Sequence, residues 1–184
     1  VMEEAKYIQG IENYLEHIVF EGLKKRYGDP PPEDIIKRAK YELGVINHMG
    51  FPAYFMITWD FIHFAKTHDI PVGPGRGSAA GSVVAYALEI TDIDPIYHKL
   101  LFERFLNPER FTMPDIDIDF CIEKRGDVID YVTKKYGEDK VCQIITFSTY
   151  APKAAFKGVG RVLQVPFAES NRLTGLIAPA LDVA

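Results

Sequence analysis

Apolar side chains recur every three to four positions in three long segments of the first third of the chain. The first segment carries them at Ile8, Ile11, Leu15, Ile18, Val19 and Leu23. This spacing lines one face of a helix, so it predicts amphipathic helices over residues 5–27, 33–48 and 54–66. The run Gly28-Asp29-Pro30-Pro31-Pro32 predicts the end of the first of them.

Shorter apolar runs at residues 70–72, 114–120 and 141–147 have the length and composition of β-strands. Helical spacing returns between and after them, at residues 79–88, 96–105, 123–136, 150–163 and 167–176. Strands that alternate with helices are typical of α/β proteins. The pattern therefore predicts a mixed α/β fold, in which a small mixed sheet carries flanking helices.

Three aspartates alternate with apolar residues in the second of these runs, at Asp115, Asp117 and Asp119. In an extended chain every second side chain points the same way, so all three carboxylates share one face. Neighbouring members of the row lie about 6.6 Å apart along the chain, near enough for two of them to bind one divalent cation. A row of like charges repels itself unless a cation is present. The segment therefore predicts a metal site on one face and core packing on the other.

A glycine-rich loop, residues 73–78, separates the first predicted strand from a helix. A strand, a Gly-rich turn and a helix in that order present backbone N–H groups to a phosphate. Arg76 adds a cation, and Ser78 can donate its hydroxyl to a phosphate oxygen or cap the helix. A tight turn with an N-cap explains the same residues, so the loop alone leaves both interpretations open.

More specific motifs fail in this part of the chain. No Gly-Lys-Ser/Thr follows the spacer of a Walker loop, and Arg76 stands where a nucleophile elbow has glycine. An EF-hand that began at Asp115 would need glycine and glutamate where Phe120 and Gly126 stand. Neither a Walker nucleotide site, a hydrolase elbow nor an EF-hand is expected.

One nucleotide-binding motif does fit the loop. Residues 75–80 satisfy the relaxed fingerprint GxGxxA, with Asp92 and Asp94 near the distance of a ribose contact, which leaves a dinucleotide-dependent oxidoreductase open. A phosphate loop followed within about forty residues by a row of carboxylates suits phosphoryl transfer with two divalent ions. A nicotinamide enzyme has no use for the carboxylates, so phosphoryl transfer is the favoured hypothesis.

Composition adds limits more than direction. With 184 residues, 47% hydrophobic and 26% charged, the chain has the composition of a globular protein. No apolar run is long enough to cross a bilayer, and we expect a cytoplasmic protein with no membrane partner, whose two cysteines, Cys121 and Cys142, are reduced. The net charge is −5, but residues 148–184 carry four cations against two acids, a net of +2, which leaves −7 for the rest. This asymmetry is compatible with DNA binding and equally with a solvated helix face.

The longest motifs resemble one family. PVGPGRGSAAGSVVAYALEITDIDP, LLFERFLNPERFTMPDIDIDF and QIITF follow one another and closely resemble the catalytic subunit of bacterial DNA polymerase III, a C-family replicative polymerase. The resemblance is strong over residues 42–163 and looser on either side. It implies a polymerase-β-like nucleotidyltransferase palm over residues 1–147 and the beginning of a helical thumb over residues 148–184.

The resemblance also implies roles for single residues. Asp115 and Asp117 match the family's two metal-binding catalytic aspartates, and Gly77 and Ser78 match its triphosphate-binding pair. Asp119 shares their face without being one of the two assigned ligands, and we expect it to support the site or to pair with a nearby cation.

Basic residues complete the expected site. Arg76, Arg104 and Arg110 are placed to meet phosphates of the incoming nucleotide or primer, with a structural ion pair as the alternative for each. Lys153 and Arg161, eight residues apart on a predicted helix, are candidates to follow the DNA backbone, with solvated surface charge as their alternative.

The function implied is DNA-templated DNA synthesis with two Mg²⁺ ions, from deoxynucleoside triphosphates on primer-template DNA, beside a sliding clamp and other replisome subunits. The family's third catalytic aspartate matches no residue here and is expected beyond residue 184, so we expect this chain alone to be inactive. A non-catalytic palm-like module that binds a nucleotide or a partner is the alternative, and the oxidoreductase is a distant third.

Overall fold

Helices form all the regular secondary structure of residues 10–110 and 113–177, which are the residues that the computed structural model describes. The α-helices are α1 (Ile11–Tyr27), α2 (Glu33–His48), α3 (Pro52–Thr67), α4 (Val83–Ala87), α5 (Arg125–Tyr136), α6 (Pro152–Val162) and α7 (Phe167–Gly175). Two 3-10 helices, Ser78–Gly81 and Phe102–Arg104, lie on either side of α4 along the chain. None of these helices has the length and apolar character needed to cross a bilayer.

Most helices lie where the hydrophobic spacing predicts them. The bounds of α2 are those predicted, and α3, α5, α6 and α7 differ from prediction by at most two residues at either end. The first nine residues lie outside the described part, so the predicted start of the first helix at residue 5 is untested. The predicted helix over residues 79–88 is a 3-10 turn followed by α4, because extended backbone at Ser82 separates the two.

The helix predicted over residues 96–105 is wrong. Turns occupy residues 95–99, and only the 3-10 helix Phe102–Arg104 follows. The backbone of Lys99 has φ +53°, in the left-handed region that ends a right-handed helix. Apolar spacing is blind to such a stop, because no glycine marks it in the sequence.

The prediction of a mixed α/β fold with a small sheet is also wrong, because none of the three predicted strands forms among the described residues. Among the described residues, the only pairing that these segments make is one antiparallel bridge between Val72 and Phe120. The ladder stops there because Pro71 has no N–H to donate and Gly75, with φ +97°, turns the chain away. Residues 141–147 form neither helix nor strand and are largely exposed.

The core of the first unit, Val1–Val141, is built mainly by α1 to α4. Its fully buried side chains include Leu15, Val19, Leu23, Ile46, Phe55, Met56, Ile62, Val83 and Leu88. α1 and α4 approach so closely that a Cβ at Gly22 would overlap the carbonyl oxygen of Ala87. Ile116, Ile118 and Phe120 of the acidic segment pack on this core from outside.

A buried carboxylate fixes α5 on α3. Asp60, 6% exposed, accepts hydrogen bonds from Lys135 Nζ (2.6 Å), Tyr136 Oη (2.9 Å) and Tyr131 Oη (3.0 Å). The ring of Tyr131 stacks on that of Phe64 with 3.8 Å between centroids. α5 directly follows the acidic segment, so this network anchors the end of that segment.

The second unit, Cys142–Ala184, contains α6 and α7, which pack against each other. A Cβ at Gly160 would lie 3.4 Å from Ser170 Oγ, which shows how close the two helices come. The division falls between residues 141 and 142, whereas the resemblance implies a palm–thumb boundary between residues 147 and 148. The assignment of the two parts as palm and thumb stays a prediction.

Candidate functional site

The bridge between Val72 and Phe120 joins the glycine-rich loop to the acidic segment. Two backbone hydrogen bonds flank it, from Gly73 N to Asp119 O (2.8 Å) and from Cys121 N to Pro71 O (3.0 Å). The antiparallel direction means that the loop, as it leaves Gly73, runs back along the aspartate row. The two motifs singled out in the sequence are therefore neighbours in space.

The acidic segment keeps the alternation expected of an extended chain. Asp115, Asp117 and Asp119 are exposed, whereas Ile116 and Ile118 are half-buried against the core. The hydroxyl of Tyr54 on α3 accepts a hydrogen bond from Ile116 N (3.2 Å), which holds the segment down on the helix. Burial raises the pKa of Tyr54, and the charges of Asp115 and Asp117 raise it further.

The loop approaches the aspartate row at a glycine. Gly77 has φ +69° and ψ −158°, and a Cβ there would lie 3.3 Å from Asp117 Oδ2. The second tight position is Gly75, where φ is +97° and a Cβ would lie 2.8 Å from Thr91 Cγ2. Both positions require glycine because left-handed backbone and close neighbours coincide.

Ser78 does not cap the helix that follows the loop. Ser82 does, because its Oγ accepts a hydrogen bond from Ala85 N (3.1 Å) at the start of α4. Ser78 begins the 3-10 turn instead, and its side chain is exposed. The Ser78 hydroxyl therefore does not act as a helix cap, which leaves phosphate binding as the remaining interpretation of this residue.

Arg76 extends over the aspartate row. Its Nη2 lies 3.7 Å from Asp117 Oδ1, and its Nε lies 3.6 Å from Asp119 Oδ2. The Arg76 side chain is 61% exposed and both distances are long, so the two ion pairs are weak. The structure thus brings Arg76, Asp117 and Asp119 together at the loop.

A cavity of about 480 Å³ opens beside the same turn. It is lined by Gly77, Ser78, Gly81, Lys99, Leu100, Leu101 and Arg104. Two cations and no carboxylate contribute to this lining, so the cavity suits an anion. Its volume is within the roughly 300–1,000 Å³ of small-molecule sites.

Arg104 also lines a second cavity, of about 330 Å³, together with Arg110, Glu103, Phe105 and Asn107. Both arginines are exposed. The structure therefore groups Arg104 with Gly77 and Ser78, and Arg110 with Arg104, but it gives Arg110 no place in the first cavity.

Lys99 is a cavity residue that sequence reasoning missed. Its backbone at φ +53° ends the turn of residues 95–99, with hydrogen bonds from Lys99 N to Ile96 O (3.1 Å) and from Leu100 N to Pro95 O (2.8 Å). This turn aims an exposed lysine at the cavity wall. A lysine with left-handed backbone leaves no sequence signal, so this cation could not have been found beforehand.

A buried ion pair lies behind the cavity and was also missed. Glu42, fully buried, accepts hydrogen bonds from Arg38 Nε (2.7 Å), Ser82 Oγ (2.8 Å) and Val84 N (3.1 Å). Burial raises the pKa of Glu42, and its hydrogen bonds with Val84, Arg38 and Ser82 oppose that rise. The carboxylate thus ties α2 to the N-terminus of α4, immediately after the Gly-Ser turn.

The acids that the dinucleotide hypothesis needs are already occupied. Asp92 Oδ1 pairs with Arg26 Nη2 (2.6 Å) and Asp92 Oδ2 with Lys66 Nζ (3.2 Å). Asp94 Oδ1 accepts from Ile96 N (2.8 Å) and Tyr27 Oη (2.9 Å). Carboxylates engaged in this way are not free for a ribose, so the dinucleotide hypothesis loses its support.

Asp92 also holds the base of the loop, because its N–H donates to Pro74 O (2.8 Å). Burial alone would raise the pKa of Asp92, but the hydrogen bond from Arg26 and the nearby Lys66 outweigh burial and lower it.

The two residues expected to contact DNA lie on α6, in the second unit. Lys153 and Arg161 are both exposed. Arg161 lines a cavity of about 600 Å³ with Lys157 and Tyr150, whereas Lys153 is not part of its lining. Their role stays a prediction.

The carboxylates fit part of a Mg²⁺ site. Exposed carboxylate oxygens are the ligands that Mg²⁺ prefers, and Asp115 and Asp117 present two of them on one face. Over residues 10–110 and 113–177, no group of three or more His, Cys, Asp or Glu side chains is arranged around a common point. The chain thus offers two carboxylates of the set that the resemblance implies.

The fold and site define a helical domain in which a glycine-rich loop adjoins a row of carboxylates. The chain belongs to the bacterial DNA polymerase III alpha subunit family, because the model of the bacterial DNA polymerase III alpha NTPase domain matches residues 13–184. It is 66% identical over 164 residues, 89% of its length, to the DNA polymerase III subunit alpha of Borreliella burgdorferi. The corresponding subunits of Treponema pallidum and Vibrio cholerae are 60% and 54% identical over 90% and 92% of this chain. The chain spans 14–15% of the length of these relatives, so it is similar to one part of each.

Proposed function

We propose that the Gly-Ser turn and the aspartate row form the nucleotide-phosphate and metal half of a DNA polymerase active site. The observation that carries the proposal is the proximity of the two motifs, since a Cβ built on Gly77 would lie 3.3 Å from Asp117 Oδ2. A site for nucleotidyl transfer needs the triphosphate and the metal-binding carboxylates within a few ångströms of each other. Membership of the polymerase family supports the same assignment.

In the proposed reaction, the primer 3′-hydroxyl oxygen attacks the α-phosphorus of a deoxynucleoside triphosphate. A new P–O bond forms, the bond between the α-phosphorus and the bridging oxygen breaks, and pyrophosphate leaves with the bond electrons. The hydroxyl proton passes to solvent or a nearby base. Mg²⁺, when bound, supplies charge neutralisation and lowers the pKa of the attacking hydroxyl.

The chain's own side chains divide this work. Asp115 and Asp117 would hold the metal ions, and Ser78 with the backbone of Gly77 would bind phosphate oxygens. Arg104, with Lys99, would neutralise the outer phosphates from the cavity wall, and Arg76 would move from the aspartates to the nucleotide. Arg110 would meet phosphates in the neighbouring cavity.

The partners follow from the family. Primer-template DNA and deoxynucleoside triphosphates are the proposed substrates, with Lys153 and Arg161 on the DNA backbone. The sliding clamp and other replisome subunits are proposed partners of the complete subunit, and a third carboxylate from outside residues 1–184 would complete the metal site.

The test uses the complete polymerase subunit that carries this segment. Asp115→Asn and Asp117→Asn should each lower the maximal rate of single-nucleotide incorporation by about 10²-fold or more, since each removes metal charge stabilisation worth several kcal/mol. Primer-template affinity should change less than about twofold. Asp139→Asn, at an exposed carboxylate paired with Lys140, is the matched control and should leave the rate unchanged. A normal rate in either site variant would exclude the metal-ligand role.

A further inference from the structure

Two walls of backbone enclose the cavity beside Ser78. One wall is the 3-10 turn Ser78–Gly81, and the other is the segment of residues 99–101. They touch at Gly81, where a Cβ would lie 2.7 Å from Leu101 O. The backbones are too close here to accommodate a side chain, so the width of the cavity depends on the contacts that position the two walls.

One side chain behind the cavity reaches both walls. Arg38 Nη2 donates to Gly81 O (3.3 Å) and lies 3.5 Å from Leu100 O. Arg38 is not part of the cavity lining, so it meets any bound molecule only through these carbonyls. A planar guanidinium has five N–H donors in a fixed arrangement, so it can bind two carbonyl oxygens and a carboxylate at once. A lysine ammonium has three donors on a flexible stem and holds such partners less firmly.

The guanidinium is itself held from behind. Glu42 binds Arg38 Nε through Oε1 (2.7 Å) and, through Oε2, the hydroxyl of Ser82 (2.8 Å), which lies next to Gly81 in the chain. One carboxylate therefore fixes both the arginine and the end of the first wall. A buried carboxylate is costly unless it is paired, and Arg38, Ser82 and Val84 together pair Glu42.

We propose that Arg38, held by Glu42, is a positioning residue that sets the spacing of the two cavity walls and thereby the affinity for the nucleotide's phosphates. This inference rests on the proposed function, in which the cavity receives part of a deoxynucleoside triphosphate. Arg38 acts only through Gly81 and Leu100. Its loss is therefore expected to weaken nucleotide binding and to spare primer-template binding.

The test measures single-turnover nucleotide incorporation by the complete polymerase subunit, which gives an apparent nucleotide Kd and a maximal rate separately. Arg38→Lys should raise the apparent Kd for the deoxynucleoside triphosphate about tenfold, with the maximal rate within about threefold and the primer-template Kd unchanged. Gly81→Ala, which forces the walls apart from inside, should raise the nucleotide Kd by at least the same factor. Lys24→Gln is the matched control, because Lys24 makes an equally short but exposed pair with Glu21 on α1 (2.7 Å) and should change nothing.

A nucleotide Kd within twofold of the wild type in folded Arg38→Lys would overturn the inference, even if the thermal midpoint fell, because a purely stabilising ion pair lowers stability alone. If Arg38→Lys does not fold, Glu42→Gln decides in the same way, since its amide oxygen still accepts from Ser82 while its hold on Arg38 is weakened. Ser78→Ala and Arg104→Gln distinguish a failure of the cavity's proposed function from a failure of the role proposed for Arg38. If they leave the nucleotide Kd unchanged, the cavity's proposed function fails and the inference with it. If they raise the nucleotide Kd and Arg38→Lys does not, only the inference fails.

Discussion

The antiparallel bridge between Val72 and Phe120 sets the register in which the glycine-rich loop meets the aspartate row. The chain turns at Gly75, three residues after Val72, and a Cβ built on Gly77 would then lie 3.3 Å from Asp117 Oδ2. A single bridge therefore aligns the two motifs, where the sequence predicted that a sheet would align them.

Gly77 gives the first prediction. Gly77→Ala introduces a Cβ beside Asp117 at a backbone conformation (φ +69°, ψ −158°) that other residues rarely adopt. We expect the free energy of unfolding to fall by about 1–3 kcal/mol. The nucleotide Kd of the complete subunit should rise about tenfold or more. Gly126→Ala is the control, since a Cβ there meets nothing within 4 Å. Wild-type nucleotide affinity in Gly77→Ala would show that the loop can be displaced without consequence.

Lys99 gives the second. Lys99→Gly removes the cation and relieves a left-handed backbone at φ +53°, so stability should stay constant or rise by up to about 1 kcal/mol. The nucleotide Kd should rise severalfold at low ionic strength and less at high salt, because screening weakens an exposed charge. Lys99→Arg keeps the cation and should bind nucleotide within about twofold of wild type. Equal salt dependence in Lys99→Gly and wild type would remove Lys99 from the cavity's electrostatics.

The close packing of α1 on α4 gives the third. Gly22→Ala would drive a methyl group into the carbonyl of Ala87, so the free energy of unfolding of the 184-residue chain should fall by about 1–3 kcal/mol. Gly44→Ala, on α2 with nothing within 4 Å, should instead gain about 0.5–1 kcal/mol. Urea unfolding followed by the fluorescence of Trp59, the single tryptophan, measures both. The same sign of change in both variants would contradict the packing described.

The fourth concerns acid. The folded pKa of Asp92 lies below its ordinary value near 3.8, so its pairs with Arg26 and Lys66 stabilise the fold above that pH. This contribution is lost as the pH falls through the lowered pKa, because the Asp92 carboxyl is then protonated in both the folded and the unfolded state. The stability difference between wild type and Asp92→Asn should therefore be largest near pH 7 and shrink towards pH 2–3. A difference that is constant over this range, in urea midpoints at each pH, would show that the pairs contribute nothing.

Helices were predictable here because their signal is local. In α2 the buried side chains Ile35, Ala39, Leu43 and Ile46 follow one another at three- and four-residue spacing, and the predicted bounds are those observed. Strands could not be predicted in the same way, because a strand forms only where a partner strand supplies hydrogen bonds along its length. The alternation in residues 114–120 correctly predicts which side chains are exposed, yet it cannot tell whether a neighbour is present.

Part of the candidate site was also visible beforehand. The resemblance named Gly77, Ser78 and Asp117, which the structure brings together. The sequence does carry a signal for Glu42, because an acidic residue interrupts the apolar face of α2 three positions after Ala39. The structure shows that this residue is fully buried. An i,i+4 pair such as Arg38–Glu42 is usually an exposed helix contact, so only tertiary packing reveals that it lies behind a cavity.

The account is tested most directly by diffraction from crystals of the complete subunit with Mn²⁺ in place of Mg²⁺, primer-template DNA and a non-hydrolysable deoxynucleoside triphosphate. The account predicts an anomalous Mn²⁺ peak within about 2.5 Å of carboxylate oxygens of both Asp115 and Asp117, with phosphate oxygens hydrogen-bonded at Gly77 and Ser78. Metal bound elsewhere, or a triphosphate that leaves Ser78 untouched, would contradict it.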